Sequence, residues 1–251
     1  SATNIAGMFN GCFNFNQPIN IPNSVTNIAS MFNSCPNFNQ LVNIPNGALD
    51  TASMFRSCSN FNQSVTIPDT VFRTVQMFQD CHNFNQLVII PNSVTNTVSM
   101  FSGCFNLNQP VIIPNSVTVT PMLFQSCSSF GSNIYVYSAN LSKSAVKNML
   151  ANCNNSLAKH IFTNNTYAFN GNATANSITG TSITWTRDGD NFYNTAYNIY
   201  IHNVAHPYLT LTSIDPNNSI QMSAPAWVID NTQLEQGTSA IKTDDISNKV
   251  I

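Results

Sequence analysis

Met31-Phe32-Asn33-Ser34-Cys35-Pro36-Asn37-Phe38-Asn39-Gln40-Leu41-Val42-Asn43-Ile44-Pro45 decides the fold, because this order of residue types returns at a constant interval. Met-Phe pairs fall at Met8-Phe9, Met31-Phe32, Met54-Phe55, Met77-Phe78 and Met100-Phe101, and Leu123-Phe124 continues the series in steps of 23 residues. Cys12, Cys35, Cys58, Cys81, Cys104 and Cys127 keep the same step, as do Phe15, Phe38, Phe61, Phe84, Leu107 and Phe130. Ile21-Pro22, Ile44-Pro45, Ile67-Pro68, Ile90-Pro91 and Ile113-Pro114 close each copy. One copy holds too few apolar side chains to offset the entropy of ordering its backbone. Stacked copies share a continuous core, so the pattern predicts an array that folds as a unit.

Within a copy, Gln-x-Val-x-Ile-Pro alternates and predicts a strand, with Val42 and Ile44 facing inward, Leu41 and Asn43 outward, and proline ending it. The three- and four-residue spacing of Phe32, Cys35 and Phe38 predicts a short helical turn with one buried face. The expected fold class is a repeat solenoid: a curved parallel β-sheet with short helical turns, followed by a small β-rich C-terminal region.

These residues carry a resemblance. Ile-Pro-x-Ser-Val-Thr followed by a phenylalanine and a cysteine, as in residues 21–35, resembles the BspA-type leucine-rich repeats over about residues 1–137. This chain departs from that family in carrying Phe38 and Phe84 where leucine is usual, and Met31 and Met77 where alanine is usual, so an aromatic and methionine-rich core is expected. The resemblance implies surface adhesion and binding to host molecules, and similar repeats occur in bacteriophage fibre and receptor-binding proteins.

Residues 1–137 are expected to form the solenoid. Ser1 to Ala6 aligns with Ser24 to Ala29, so the sequence opens inside a copy, and more protein before Ser1 or another subunit is expected to cover that end. Residues 138–165 are expected to form a cap with a helix at about 142–152, Ser142 as its N-cap and a strand at His160-Ile161-Phe162. Residues 166–251 are expected to be β-rich with an extended tail. Ser182 to Trp185, Tyr197 to Ile201, Leu209 to Leu211 and Trp227 to Ile229 read as strands, and Arg187 to Asn191 as a turn.

Charged residues are 7% of the 251 and the net charge is −2, which gives no footing for nucleic acid or an anionic membrane. No apolar run approaches a transmembrane length, so no membrane insertion is expected. Six of the seven cysteines form a column whose spacing suits neither disulfides nor tetrahedral zinc, so Cys12, Cys35, Cys58, Cys81, Cys104 and Cys127 are expected as reduced core fillers, with Cys153 outside the column. Asn16, Asn39, Asn62, Asn85 and Asn108 read as an amide ladder in preference to a glycan site.

Catalytic motifs are not evident: Glu235 is the single glutamate, and Asp188-Gly189-Asp190-Asn191 reads as a turn in preference to a calcium loop. His82 is expected at the surface, and His202 and His206 are a weak metal pair. The chain is therefore expected to be no enzyme and to need no cofactor or metal. The expected binding surface is the outward stripe of the strands, Pro18, Asn20, Leu41, Asn43, Ser64, Thr66, Leu87, Ile89, Pro110, Ile112 and Tyr135, polar early and apolar late; a C-terminal region folded over its apolar end is the alternative. The expected role is a phage virion fibre, spike or receptor-binding component, or alternatively a bacterial cell-surface adhesin. Its partners would be a protein or glycan on a host surface, or neighbouring virion subunits in a homo-oligomer.

Overall fold

In the computed structural model the described residues are 2–171, 173–174, 177–204, 208–214, 220–226 and 240–241. The copies stack in register. Phe9, Phe32, Phe55, Phe78, Phe101 and Phe124 form one column of parallel rings with successive centroids 5.6–5.9 Å apart. Phe15, Phe38, Phe61 and Phe84 form a second column, spaced 5.8–6.1 Å. Inside each copy the two rings are 4.0–4.5 Å apart, as in Phe32–Phe38 and Phe124–Phe130. The inward residues Val42, Ile44, Val65, Ile67, Val88 and Ile90 close the core on the strand side.

The Met-Phe-x-x-Cys segment is not helical, contrary to the expectation. Phe32, Cys35 and Phe38 are fully buried, but a ribbon of turns buries them. Every second amide donates to the next copy: Ile28 to Asp50 O, Ser30 to Ala52 O, Phe32 to Met54 O and Ser34 to Arg56 O, at 2.8–3.2 Å. The amides between them bond backward within the copy, Met31 to Ile28 O, Asn33 to Ser30 O and Cys35 to Phe32 O, at 3.1–3.2 Å. Two residues per copy break the helical run with left-handed dihedrals: Gly7 and Gly11 in the first, Ser30 (φ 58°) and Ser34 (φ 60°) in the second, Ser53 and Ser57 in the third. A non-glycine residue there costs about 1–2 kcal/mol, which the lateral hydrogen bonds offset.

The regular strands start late. β1 (Val111–Ile113), β2 (Asn133–Val136) and β3 (Lys159–Thr163) pair in parallel, with Ile112 opposite Tyr135 and Tyr135 opposite Phe162. In the earlier copies the equivalent segments, such as 41–44 and 64–67, are not paired as strands. The ladder begins in the copy where Leu107 takes the phenylalanine position.

The parallel sheet runs past residue 137. The helix expected at 142–152 is replaced by another turn ribbon: Asn148 and Asn152 take left-handed dihedrals (φ 58° and 59°), and Thr120, Phe124 and Ser126 donate to Ala145 O, Met149 O and Ala151 O. Ser142 keeps a cap-like role, its Oγ accepting from the Ala145 amide at 3.2 Å. Cys153, expected outside the column, continues it after a 26-residue step from Cys127.

A four-residue helix, α1 (Thr166–Phe169), is capped by Asn165 and buries Ala168 and Phe169. The expected strand at Ser182 to Trp185 forms instead just beyond it, as β4 (Thr186–Asp188), which turns at Gly189-Asp190 into β5 (Asn191–Asn194). β6 (Ile199–Asn203) then pairs in parallel with β3 and antiparallel with β5, giving the sheet order β1-β2-β3-β6-β5-β4. A second sheet is antiparallel, with β7 (Tyr208–Ile214) between β8 (Ile220–Ala226) and β9 (Ala240–Ile241). The strand expected at Leu209 to Leu211 lies within β7. The strand expected at Trp227 to Ile229, and most of the tail, lie outside the described residues.

Candidate functional site

The outward stripe divides into an open part and a closed part. Asn20, Leu41, Asn43, Ser64 and Thr66 are exposed, with Leu41 at 65%. Leu87 and Ile89 are half-buried. Ile112 and Tyr135, expected as partner-facing, are 7% and 1% exposed. They form a second small core with Phe162 and Val204, against which Ile89 and Tyr137 pack. The reason lies in the register: β1, β2 and β3 set Ile112, Tyr135 and Phe162 side by side on one face, and large apolar neighbours bury one another. The Tyr135 and Phe162 rings stack at 5.2 Å, and burial pushes the Tyr135 hydroxyl above the usual tyrosine range, partly opposed by its bond from Asn133 Nδ2. The open stretch of stripe is therefore the polar part, centred on Leu41.

One flank of the open stretch is the amide ladder. Each Asn Oδ1 accepts the backbone N–H of the asparagine one copy later: Asn39 to Asn16, Asn62 to Asn39, Asn85 to Asn62 and Asn108 to Asn85, each at 2.9 Å. Gly131 N–H ends the series on Asn108 Oδ1, again at 2.9 Å. The same oxygens accept from Gln40, Gln63, Gln86 and Gln109 Nε2 at 3.0–3.3 Å. These carbonyls are committed to holding copies together, which is the ladder reading of the asparagines. A second amide column, Asn37, Asn60, Asn83 and Asn106, links successive copies at 3.4 Å.

All seven cysteines are thiols. Cys35, Cys58, Cys81, Cys104, Cys127 and Cys153 each donate through Sγ to a carbonyl of the copy before, Phe9, Phe32, Phe55, Phe78, Phe101 and Phe124 O, at 2.9–3.1 Å. Burial raises all six thiols, Cys153 to about 11 against the lowering influence of the Lys159 ammonium. Cys12, expected as a core member, is exposed.

Histidine placement differs from expectation. His82 is half-buried and stacks on Phe105 at 4.3 Å, since the 23-residue step puts the two in one column. His202 meets His160, its Nε2 2.9 Å from His160 Nδ1. His206 lies outside the described residues. Sequence reasoning missed this pair, although the alternation of His160 with Ile161 and of Ile201 with His202 marks both imidazoles as outward-facing. Among the described residues no group of three or more His, Cys, Asp or Glu side chains converges on a metal position, and no helix is long and apolar enough to cross a membrane.

The fold and its columns define a β-rich repeat protein whose neutral outward stripe is its open surface. The chain belongs to the family described as Mycoplasma protein of unknown function, DUF285, whose profile matches residues 1–88 and 49–164. Among solved structures the chain is similar to a leucine-rich repeat protein from Bacteroides ovatus, at 21% identity and a TM-score of 0.49, over 62% of this chain and 39% of that one. The chain thus spans well under half the length of that protein. No curated protein matches.

Proposed function

We propose that this chain is a non-enzymatic, BspA-like repeat protein that holds a partner protein on the open part of its outward stripe, at a bacterial cell surface. The observation that carries this reading is Leu41, 65% exposed among exposed Asn20, Asn43, Ser64 and Thr66 with no charged side chain in the stripe. Leu41 offers an apolar contact inside a neutral polar rim, the layout of apolar centre and polar edge that protein interfaces share. The rigid columns beneath it set that surface with little entropy left to lose on binding. A family described from Mycoplasma supports a bacterial setting. A fibre or receptor-binding component of a phage particle would use the same stripe and differ in how it is attached.

The test is a binding screen of the whole chain against host extracellular proteins and a glycan array, by biolayer interferometry. A protein partner is expected. Leu41→Asp should weaken it at least tenfold, and raising salt from 50 to 500 mM should change it little, because rim charges are lacking. Glycan-only binding, or full affinity in Leu41→Asp, would overturn the proposal.

A further inference from the structure

Charge is confined to one stretch of the array. Before Lys143 the charged residues are Asp50, Arg56, Asp69, Arg73 and Asp80, all in the third and fourth copies. The same two copies interrupt a polar column, which at 23-residue steps reads Thr3, Thr26, Leu49, Phe72, Thr95 and Thr118. Threonine serves this position in four copies, so stacking itself does not call for an apolar side chain there. Leu49 is nonetheless 44% exposed and Phe72 49%. Their backbones are direct neighbours, the Phe72 amide donating to Leu49 O at 3.1 Å. The next column places Asp50 beside Arg73, joined by a parallel bridge and an ion pair at 3.3 Å. Exposed apolar side chains that adjoin one another mark an interaction surface, and aromatic residues and arginine are enriched in such surfaces.

We infer that Leu49, Asp50, Phe72 and Arg73 form a self-complementary face that is closed by a second molecule of this chain, lying antiparallel across the third and fourth copies.

Symmetry supplies the match. A twofold axis that crosses the columns at right angles, between these two copies, lays each column on its own image and reverses the order of copies. Leu49 then meets Phe72 of the second molecule and Phe72 meets its Leu49, the reciprocal contact of an isologous dimer. Asp50 meets Arg73, and Arg73 meets Asp50. Asp69, exposed, meets the exposed Asn46, whose amide can donate to a carboxylate. No like charges are opposed. Within one molecule the pair runs from Arg73 Nη1 to Asp50 Oδ2, and the planar guanidinium has further donors for the second carboxylate. Four charges then alternate in sign about the axis. A foreign partner would have to bring an acid, a base and two apolar side chains in this order; a second molecule of the chain brings them by symmetry.

The face is small for a specific interface, so a reversible dimer with a dissociation constant of about 10–100 μM is expected, with the chain mainly monomeric at low micromolar concentration. Raising salt should weaken it, because its ion pairs lie at the surface.

The experiment is sedimentation velocity of the whole chain from 1 to 500 μM at 50 mM salt. Phe72→Thr installs the residue that the column carries in four other copies, so the fold is kept, and dimerisation should weaken at least tenfold. Arg73→Asp and Asp50→Arg each oppose like charges across the axis, so each variant alone should weaken at least tenfold. Mixed in equal amounts, the two variants regain opposite signs at both contacts and should form a mixed dimer. Leu41→Asp, on the open stripe, should leave the dimer intact. Should a charge variant fail to fold, Phe72→Thr decides alone. A chain that stays monomeric at 500 μM, a dimer unchanged by Phe72→Thr or lost in Leu41→Asp, or folded charge variants that do not combine would overturn the inference.

Discussion

Replacing Phe61 probes the stacked core most directly. Its ring is fully buried, 4.2 Å from Phe55 within its copy and 6.1 and 6.0 Å from Phe38 and Phe84 in the copies on either side. Truncating a buried phenylalanine to alanine costs about 3–5 kcal/mol. Phe61 sits toward the upper end, because stacked rings add about 0.5–1.5 kcal/mol beyond area burial. We expect Phe61→Ala to cost about 4 kcal/mol. Phe61→Leu should cost about 1–1.5 kcal/mol, because Leu107 already fills the same column two copies on and is 1% exposed there. Phe72, 49% exposed, is the control, and Phe72→Ala should cost under about 1 kcal/mol. Urea unfolding followed by circular dichroism measures the losses, and hydrogen exchange in residues 28–34 and 97–103 shows whether the two sides of the break uncouple. If Phe61→Ala costs no more than Phe72→Ala, the aromatic columns are not what holds the copies together.

Two further outcomes follow from the other columns. Iodoacetamide at pH 8 should label Cys12 quickly and leave the other six thiols untouched until denaturant is added, because burial both shields them and keeps them protonated; peptide mass spectrometry reads this, and native labelling of Cys81 would contradict it. Asn62→Ala strips one acceptor from the Asn85 amide and the Gln86 side chain at once, so it should cost about 1–2 kcal/mol, less than two buried bonds would because water reaches the site; faster exchange at the Asn85 amide checks it.

The columns were legible because identical side chains at a constant step must stack. That logic located the buried aromatics, the thiols from Cys35 to Cys127 and the asparagine ladder without coordinates. The turn ribbon was not, since three- and four-residue spacing of buried side chains suits a helix and a chain of turns equally. A signal was present: Gly7 and Gly11 stand four apart at the positions where Ser30 and Ser34 turn left-handed. The copy containing Cys153 was obscured by three inserted residues and the missing Met-Phe pair, although Asn148 to Cys153 parallels Met122 to Cys127. The exposure of the outward stripe depends on neighbours from β3 and residue 204, which lie far along the chain.

The low charge of this sequence is itself a product of stacking. A lysine or glutamate kept at one position in every copy would set like charges about 5.7 Å apart along a column, the spacing of the rings. At an effective dielectric near 20 each such neighbour pair costs about 3 kcal/mol. An amide carries no such cost and can both donate and accept, so the same residue can hand a hydrogen bond from copy to copy without limit. The column linked by parallel bridges from Asn4 through Asn27, Asp50, Arg73 and Asn96 to Val119 makes the comparison within this chain. Asn4, Asn27 and Asn96 each turn Oδ1 onto the amide two residues on, at 3.0 Å. Charge enters this column as one acidic and one basic residue in adjacent copies, paired Arg73 to Asp50 at 3.3 Å. Opposite signs side by side are the arrangement a stacked column tolerates, and a repeated single sign is the one it excludes.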